Sequence, residues 1–190
     1  MSRKHRICFP GATYHITARG NRKAEIFLER EDYQKYLAIF ECVHRTNPIT
    51  LHSYCLMPNH VHLLIETDNL PISLFMKELQ SRYAIYFNRK YDLVGHVFQG
   101  RYGAQLIDSV TYFLEVTRYI HRNPLEANLV LDPANYSWSS YPAYLSKVQH
   151  PLIKTTKTLS YFQNPRYMTY KEYVEKEDKQ VGEVGRLLQK

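Results

Sequence analysis

The chain has 190 residues, 44% of them hydrophobic, which is enough for one domain with its own core. A net charge of +7 suits a protein that meets phosphate, and the 17 tyrosines supply rings able to stack on unpaired bases. No apolar run reaches the roughly 18 residues that a membrane span needs and the basic start has no secretory pattern, so a cytoplasmic protein is expected; Cys8, Cys42 and Cys55 are too few and too scattered for a disulfide framework or a thiolate zinc site.

Residues 13–19 alternate, with Tyr14, Ile16 and Ala18 on one side and His15, Thr17 and Arg19 on the other, which predicts a strand with one apolar face. Gly20-Asn21 ends it. From Asp32, Tyr33, Tyr36, Leu37, Phe40 and Val43 recur at helical spacing until Asn47-Pro48. Residues 49–57 and 60–66 predict two strands joined tightly at Pro58-Asn59. Ile72, Phe75, Met76, Leu79, Tyr83, Tyr86 and Phe87 then mark a second helix with Pro71 at its first turn. Gly95 and Gly100 bracket a loop before a strand at 101–107, and Asp108-Ser109 cap a third helix that Asn123-Pro124 is expected to end.

The first six elements predict an α+β fold of the ferredoxin-like or RRM-like kind, an antiparallel four-stranded sheet with two helices on one face. The third helix is extra. Residues 1–150 are expected to form the main domain and 151–190 an accessory tail with a short charged helix at 170–179.

Over 60–66 the alternation sets His60, His62, Leu64 and Glu66 on one face and Val61, Leu63 and Ile65 on the other. Two imidazoles at this spacing start about 7 Å apart at the backbone and can converge on one metal at roughly 2 Å each. Two solvated histidines without a ligand satisfy the same pattern. On the third helix Val110, Phe113, Leu114, Thr117, Ile120 and His121 form the expected core stripe, and Tyr119 and Asn123 fall roughly 130° from its centre. Tyr119 is thus expected off the core, one turn from a carboxamide able to offer oxygen to a metal. A surface tyrosine beside a helix-capping asparagine is the plainer alternative.

Five blocks, in order, resemble the REP-associated tyrosine transposases and related small insertion-sequence transposases with a His-hydrophobic-His motif. They are Tyr14-His-Ile-Thr-Ala-Arg-Gly-Asn21, Met57-Pro-Asn-His-Val-His-Leu-Leu64, His96-Val-Phe-Gln-Gly-Arg-Tyr102, Arg118-Tyr-Ile-His-Arg-Asn-Pro124 and Tyr136-Ser-Trp-Ser-Ser-Tyr141. The resemblance spans about residues 9–145. It departs just after Asn123-Pro124, where Glu126 and Asn128 replace the family's usual basic residue and glycine. Asn128 tolerates the left-handed turn that a glycine would make, while Glu126 removes one expected phosphate contact.

The resemblance implies His60 and His62 as the metal-binding pair, Asn123 as an additional ligand and Tyr119 as the nucleophile that forms a 5′-phosphotyrosine link with single-stranded DNA. The implied partner is DNA carrying a hairpin, such as a REP-like palindrome, and the implied protein is a monomer or a homodimer. Two imidazoles and an amide oxygen suit Mg²⁺ or, better, Mn²⁺, and the ordinary histidine pKa predicts loss of metal binding as pH falls through about 6.5. Arg19, Arg22, Arg82, Arg101, Arg118 and Arg122 are the expected DNA contacts, with His15, Arg19, Arg118 and Arg122 as candidates to stabilise charge on the phenol. Arg3, Lys4, Arg6, Lys23, Arg89 and Lys90 could also hold a folded DNA strand. The alternatives are a non-catalytic RRM-like nucleic-acid binder, a rolling-circle or mobilisation nuclease, and a domesticated transposase with a structural role.

Overall fold

The computed structural model describes residues 9–146 and 150–176. The expected basic contacts Arg3, Lys4 and Arg6, the cysteine Cys8 and the end of the charged tail helix lie outside them. Strands β1 (Thr13–Arg19), β2 (Ile49–Met57), β3 (His60–Thr67) and β4 (Gly103–Ile107) form one sheet. Its order is β2-β3-β1-β4 and all neighbours are antiparallel, as a ferredoxin-like sandwich requires.

Alternation divides the sheet cleanly. Tyr14, Ile16, Val61, Leu63, Ile65 and Leu56 lie in the core beneath helices α1 (Arg30–Thr46) and α2 (Ile72–Tyr91), with Tyr36, Phe40, Phe75 and Tyr83 from those helices. Asp32 joins the pair: its buried carboxylate accepts from the Leu28 and Glu29 amides at 2.8 and 2.9 Å, and from the Tyr86 and Tyr91 hydroxyls at 2.9 and 2.7 Å. One side chain therefore caps α1 and ties it to α2. The second helix runs four residues beyond Phe87 and stops where Asp92 turns left-handed at φ 51°.

The opposite face carries His15, Thr17, Arg19, His60, His62 and Leu64, and helix α3 (Val110–Glu126) crosses it. Ser109 caps α3 by accepting from the Tyr112 amide at 3.2 Å. Phe113, Val116, Tyr119 and Ile120 of α3 pack on Cys55, Met57 and Leu64 in a second core. Strand β4 starts at Gly103, two residues later than expected. A side chain there would meet the Thr17 hydroxyl at 2.6 Å, so with any residue but glycine at this position the Thr17 side chain or the strand would have to shift.

Three expectations for α3 are corrected. Pro124 does not end the helix, which continues to Glu126. The ring removes a single hydrogen bond in the last turn, and the end is closed instead by Asn128 at φ 56°, with its amide donating to Leu125 at 2.9 Å. Val110, placed in the core stripe, is 48% exposed, whereas Tyr119, placed off the core, is 5% exposed. Tyr119 faces His15 and His62 on the sheet, and the other side of the helix is covered by a further layer. After a loop, helices α4 (Tyr141–Leu145), α5 (Thr156–Leu159) and α6 (Arg166–Glu175) return to cover the outer side of α3. Residues Val116 to Pro124 are consequently buried all the way around, between sheet and tail. A single apolar stripe cannot describe a helix enclosed on two sides.

His121 sits where these layers meet. Its Nδ1 lies 2.6 Å from the Tyr170 hydroxyl and its Nε2 lies 2.8 Å from Ser140 Oγ, which also accepts from the Tyr54 amide at 2.9 Å. Burial lowers its pKa to about 3. Cys42 is exposed and Cys55 buried, and both are free thiols. Among the described residues no helix is long and apolar enough to cross a membrane.

Candidate active site

Strand pairing assembles the site. In the β1–β3 register Thr17 is opposite His62 and Arg19 opposite His60, so all four share the face under α3. The two histidine rings of β3 lie 4.9 Å apart, centre to centre, and almost perpendicular. From α3, the Tyr119 ring meets His62 edge-on at 5.3 Å, and one turn later Asn123 Nδ2 lies 3.4 Å from His62 Nε2. The i, i+4 spacing thus delivers both side chains to the same imidazole. A cleft of about 520 Å³ opens over this group, lined among others by Lys23, Gln99 and Glu126.

Each imidazole also has a partner at its Nδ1. Asn59 Oδ1 lies 2.6 Å from His60 Nδ1, while the amide nitrogen of Asn59 donates to the Lys23 carbonyl at 3.2 Å. His15 Nε2 lies 3.0 Å from His62 Nδ1, the two rings stacked at 5.2 Å. His15 and His62 are only 2% and 4% exposed.

All three histidines are held neutral. Burial lowers His60 to about 4, with the nearby Arg19 cation adding to the effect. Burial, then the neighbouring His15, His60 and Arg19, depresses His62 well below the usual value, and burial alone brings His15 to about 4. Neutral imidazoles are the form that binds metal.

Two neutral imidazoles and a carboxamide converging on an open cleft fit a divalent metal. Among the described residues no three His, Cys, Asp or Glu side chains are grouped to hold one. An ion here would complete its shell with the Asn123 oxygen, water and substrate, as an open catalytic site requires.

The expected arginines separate into groups. Arg19 lines the cleft, and Arg22 is exposed on the adjoining turn Asn21–Lys23 at φ 54°. Arg82 lies on α2, beneath the other face of the sheet, and pairs with Glu78 at 2.6 Å. Arg101 borders a separate hollow between α2 and the loop at 95–102. Arg118 and Arg122 are 6% and 8% exposed and turn outward to the tail. Arg118 donates to the Lys176 carbonyl and lies 5.3 Å from the Tyr173 ring centre. Arg122 donates to Val174 O at 2.9 Å and to Glu126 Oε1 through Nε and Nη2 at 3.1 and 3.0 Å. Glu126 therefore occupies the Arg122 guanidinium besides adding negative charge at the cleft.

Gln99 as a cleft residue and the partners of the two histidine rings were not legible in the sequence, and Lys23, expected only as one of several DNA-holding cations, lines the cleft. Gln99 is brought in by backbone pairing, its amide donating to the Arg19 carbonyl at 2.9 Å. Both residues lie beside or within recognised blocks, but nothing in their spacing announces this contact.

The chain matches the family described as IS200-like transposases over residues 8–123, more than half its length. A REP-associated tyrosine transposase bound to a REP hairpin shares its fold, with a TM-score of 0.67 and 19% identity over 82% of this chain and 94% of that one. A second solved structure, of a candidate transposase from Deinococcus radiodurans R1, is 17% identical over 68% of this chain and 94% of the other, with a TM-score of 0.44. No curated protein matches the chain.

Proposed function

Since the chain belongs to the IS200-like transposases, we propose that it cleaves and rejoins single-stranded DNA beside a hairpin, with Tyr119 as nucleophile and His60, His62 and Asn123 as the metal-holding group. The observation that carries this reading is the meeting of Tyr119 and Asn123, from one helix, on His62 in an open cleft.

In this reading Tyr119 Oη attacks a backbone phosphorus and loses its proton. The bond from phosphorus to the 3′ oxygen breaks, the departing strand takes a proton as a free 3′-hydroxyl, and the 5′ strand remains on tyrosine as a phosphodiester. Attack by another 3′-hydroxyl reverses the step and rejoins strands. A divalent metal supplies charge for the phosphate oxygens, where the transition state needs it most. The protein supplies alignment. Helix α3, enclosed between sheet and tail, gives Tyr119 little freedom, so the phenol meets its target in one orientation. Arg19 adds a cation beside the phosphate path, and Lys23 and Arg22 extend it along the cleft edge. Arg82 and Arg101 are proposed to meet DNA beyond the cleft; the partner is DNA with a hairpin of the REP kind.

Incubation of the protein with hairpin-bearing single-stranded DNA and Mn²⁺ tests the reading. The parent should yield a covalent adduct at a 5′ phosphate, and Tyr119→Phe should bind the same DNA without cutting it. Cleavage by Tyr119→Phe at the parental rate would remove this tyrosine from its role.

A further inference from the structure

We propose that Asn59 and His15 are positioning residues that set the tautomers of His60 and His62, leaving Nε2 of each ring bare toward Asn123. The proposal rests on the metal-holding role given to the histidines under Proposed function, but its central claim concerns the protein alone. A neutral imidazole carries one proton, so only one ring nitrogen can accept a metal, and the partner of the other nitrogen decides which.

At His60 the decision is made by Asn59. Its amide nitrogen donates to the Lys23 carbonyl, so the amide cannot turn over without losing that bond, and Oδ1 must face His60 Nδ1. An oxygen that only accepts requires Nδ1 to carry the proton. The Pro58-Asn59 turn between β2 and β3 therefore both makes the hairpin and orients the first histidine.

At His62 the same task falls to His15, two residues along β1 from the register partner Thr17. The rings are stacked with 12° between planes and joined Nε2 to Nδ1 at 3.0 Å. On the far side of His62, the amide nitrogen of Asn123 faces Nε2 at 3.4 Å. In this orientation the Asn123 amide nitrogen pairs with an unprotonated Nε2, which places the His62 proton on Nδ1 and makes His15 Nε2 the acceptor; turning the same amide over presents its oxygen to a metal at Nε2. His15 also stands edge-on to Tyr119, with centres 6.1 Å apart, so it braces the nucleophile and the ligand together.

Long-range ¹H–¹⁵N correlation spectra of the metal-free protein read the tautomers directly. The parent should show His60 and His62 protonated at Nδ1. His15→Phe should transfer part or all of His62 to the Nε2–H form and leave His60 unchanged; Asn59→Ala should do the reverse. His15→Gln, whose side-chain oxygen can accept, should retain the parental His62 pattern. Mn²⁺ titration followed by electron paramagnetic resonance should then show affinity weakened about 10- to 100-fold in His15→Phe and Asn59→Ala, and near parental in His15→Gln. A parent with His62 protonated at Nε2, or a His15→Phe protein with unchanged tautomer and unchanged Mn²⁺ affinity, would overturn the proposal. A parent with the expected tautomers and no Mn²⁺ binding would support the orienting roles and defeat the metal reading instead.

Discussion

Acid should destabilise this protein well before its carboxylates titrate, and His121 is the residue on which to measure it. The ring is fully buried and hydrogen-bonded at both nitrogens, with its pKa lowered to about 3 from an ordinary 6.5. The folded state therefore refuses a proton that the unfolded chain accepts, so stability is lost as pH falls below 6.5, until the folded form itself titrates near 3. Between about pH 7.5 and about pH 5 the linkage relation gives a loss of about 2 kcal/mol from this one ring. His15, held at about 4, adds a loss of similar size, whereas Asp32, lowered to about 2, is ionised in both states across this range and contributes almost nothing.

Urea unfolding can be followed by the fluorescence of the single tryptophan, Trp138, which stacks on Tyr33 at 4.5 Å. His121→Phe should be less stable than the parent at about pH 7.5, because Ser140 and Tyr170 lose a partner at a cost of about 1–3 kcal/mol. Its further loss on moving to about pH 5 should be smaller than the parent's by about 2 kcal/mol. The difference between the two differences isolates the ring. Equal pH dependence in parent and variant would show that His121 takes up its proton in the folded state and that burial does not hold it neutral.

Other outcomes follow from the same geometry. Since His60 is held at about 4 and His62 is also depressed, metal-dependent cleavage should persist through pH 6.5 and disappear only as pH approaches 4, in place of the loss near 6.5 expected from an ordinary histidine; a pH–rate profile with half-loss at 6.5 would contradict it. Arg19→Ala should weaken single-stranded DNA binding and flatten its salt dependence by about one unit of slope. Arg122→Ala should mainly lower the melting temperature, because it strips the Val174 and Glu126 contacts and leaves DNA affinity nearly unchanged. Anisotropy titrations at several salt concentrations separate the two. Gly103→Ala should destabilise the protein by about 1–3 kcal/mol, since its methyl would stand 2.6 Å from the Thr17 hydroxyl; thermal unfolding at the parental temperature would refute this.

Much of the sheet, including the face that carries the histidine pair, was legible from local pattern. A strand period of two puts His60 and His62 on one face wherever the strand lies, and the same alternation places His15, Thr17 and Arg19 on the matching face of β1. The spacing of Tyr119 and Asn123 likewise makes them neighbours on any helix. These are properties of backbone geometry, and they survive whatever packs around them. The burial of Tyr119 is of another kind. It depends on how α3 is rolled on the sheet, which sets the ring against His15 and His62, while residues some fifty positions further along the chain, such as Tyr170 and Val174, cover the helix's other side. A helical wheel contains no information about a second covering layer, so it assigned one buried side where there are two.

The arginines show the same division. Arg19, Arg101, Arg118 and Arg122 stand in recognisable blocks, but whether a cation meets solvent or a carbonyl depends on which segment of the chain returns beside it. Arg118 and Arg122 point to the tail and Arg19 to the cleft, although all three read alike as charges. The partners of the histidine rings, Asn59 one position away and His15 across the sheet, came only from strand register and the β2–β3 turn. Sequence by itself determined which side chains share a strand face or a helix turn, because covalent geometry sets those distances. Only tertiary structure decided which nitrogen of an imidazole is exposed, which cation is spent on the fold and how tightly the tyrosine is held, because each depends on contacts between segments distant in the chain.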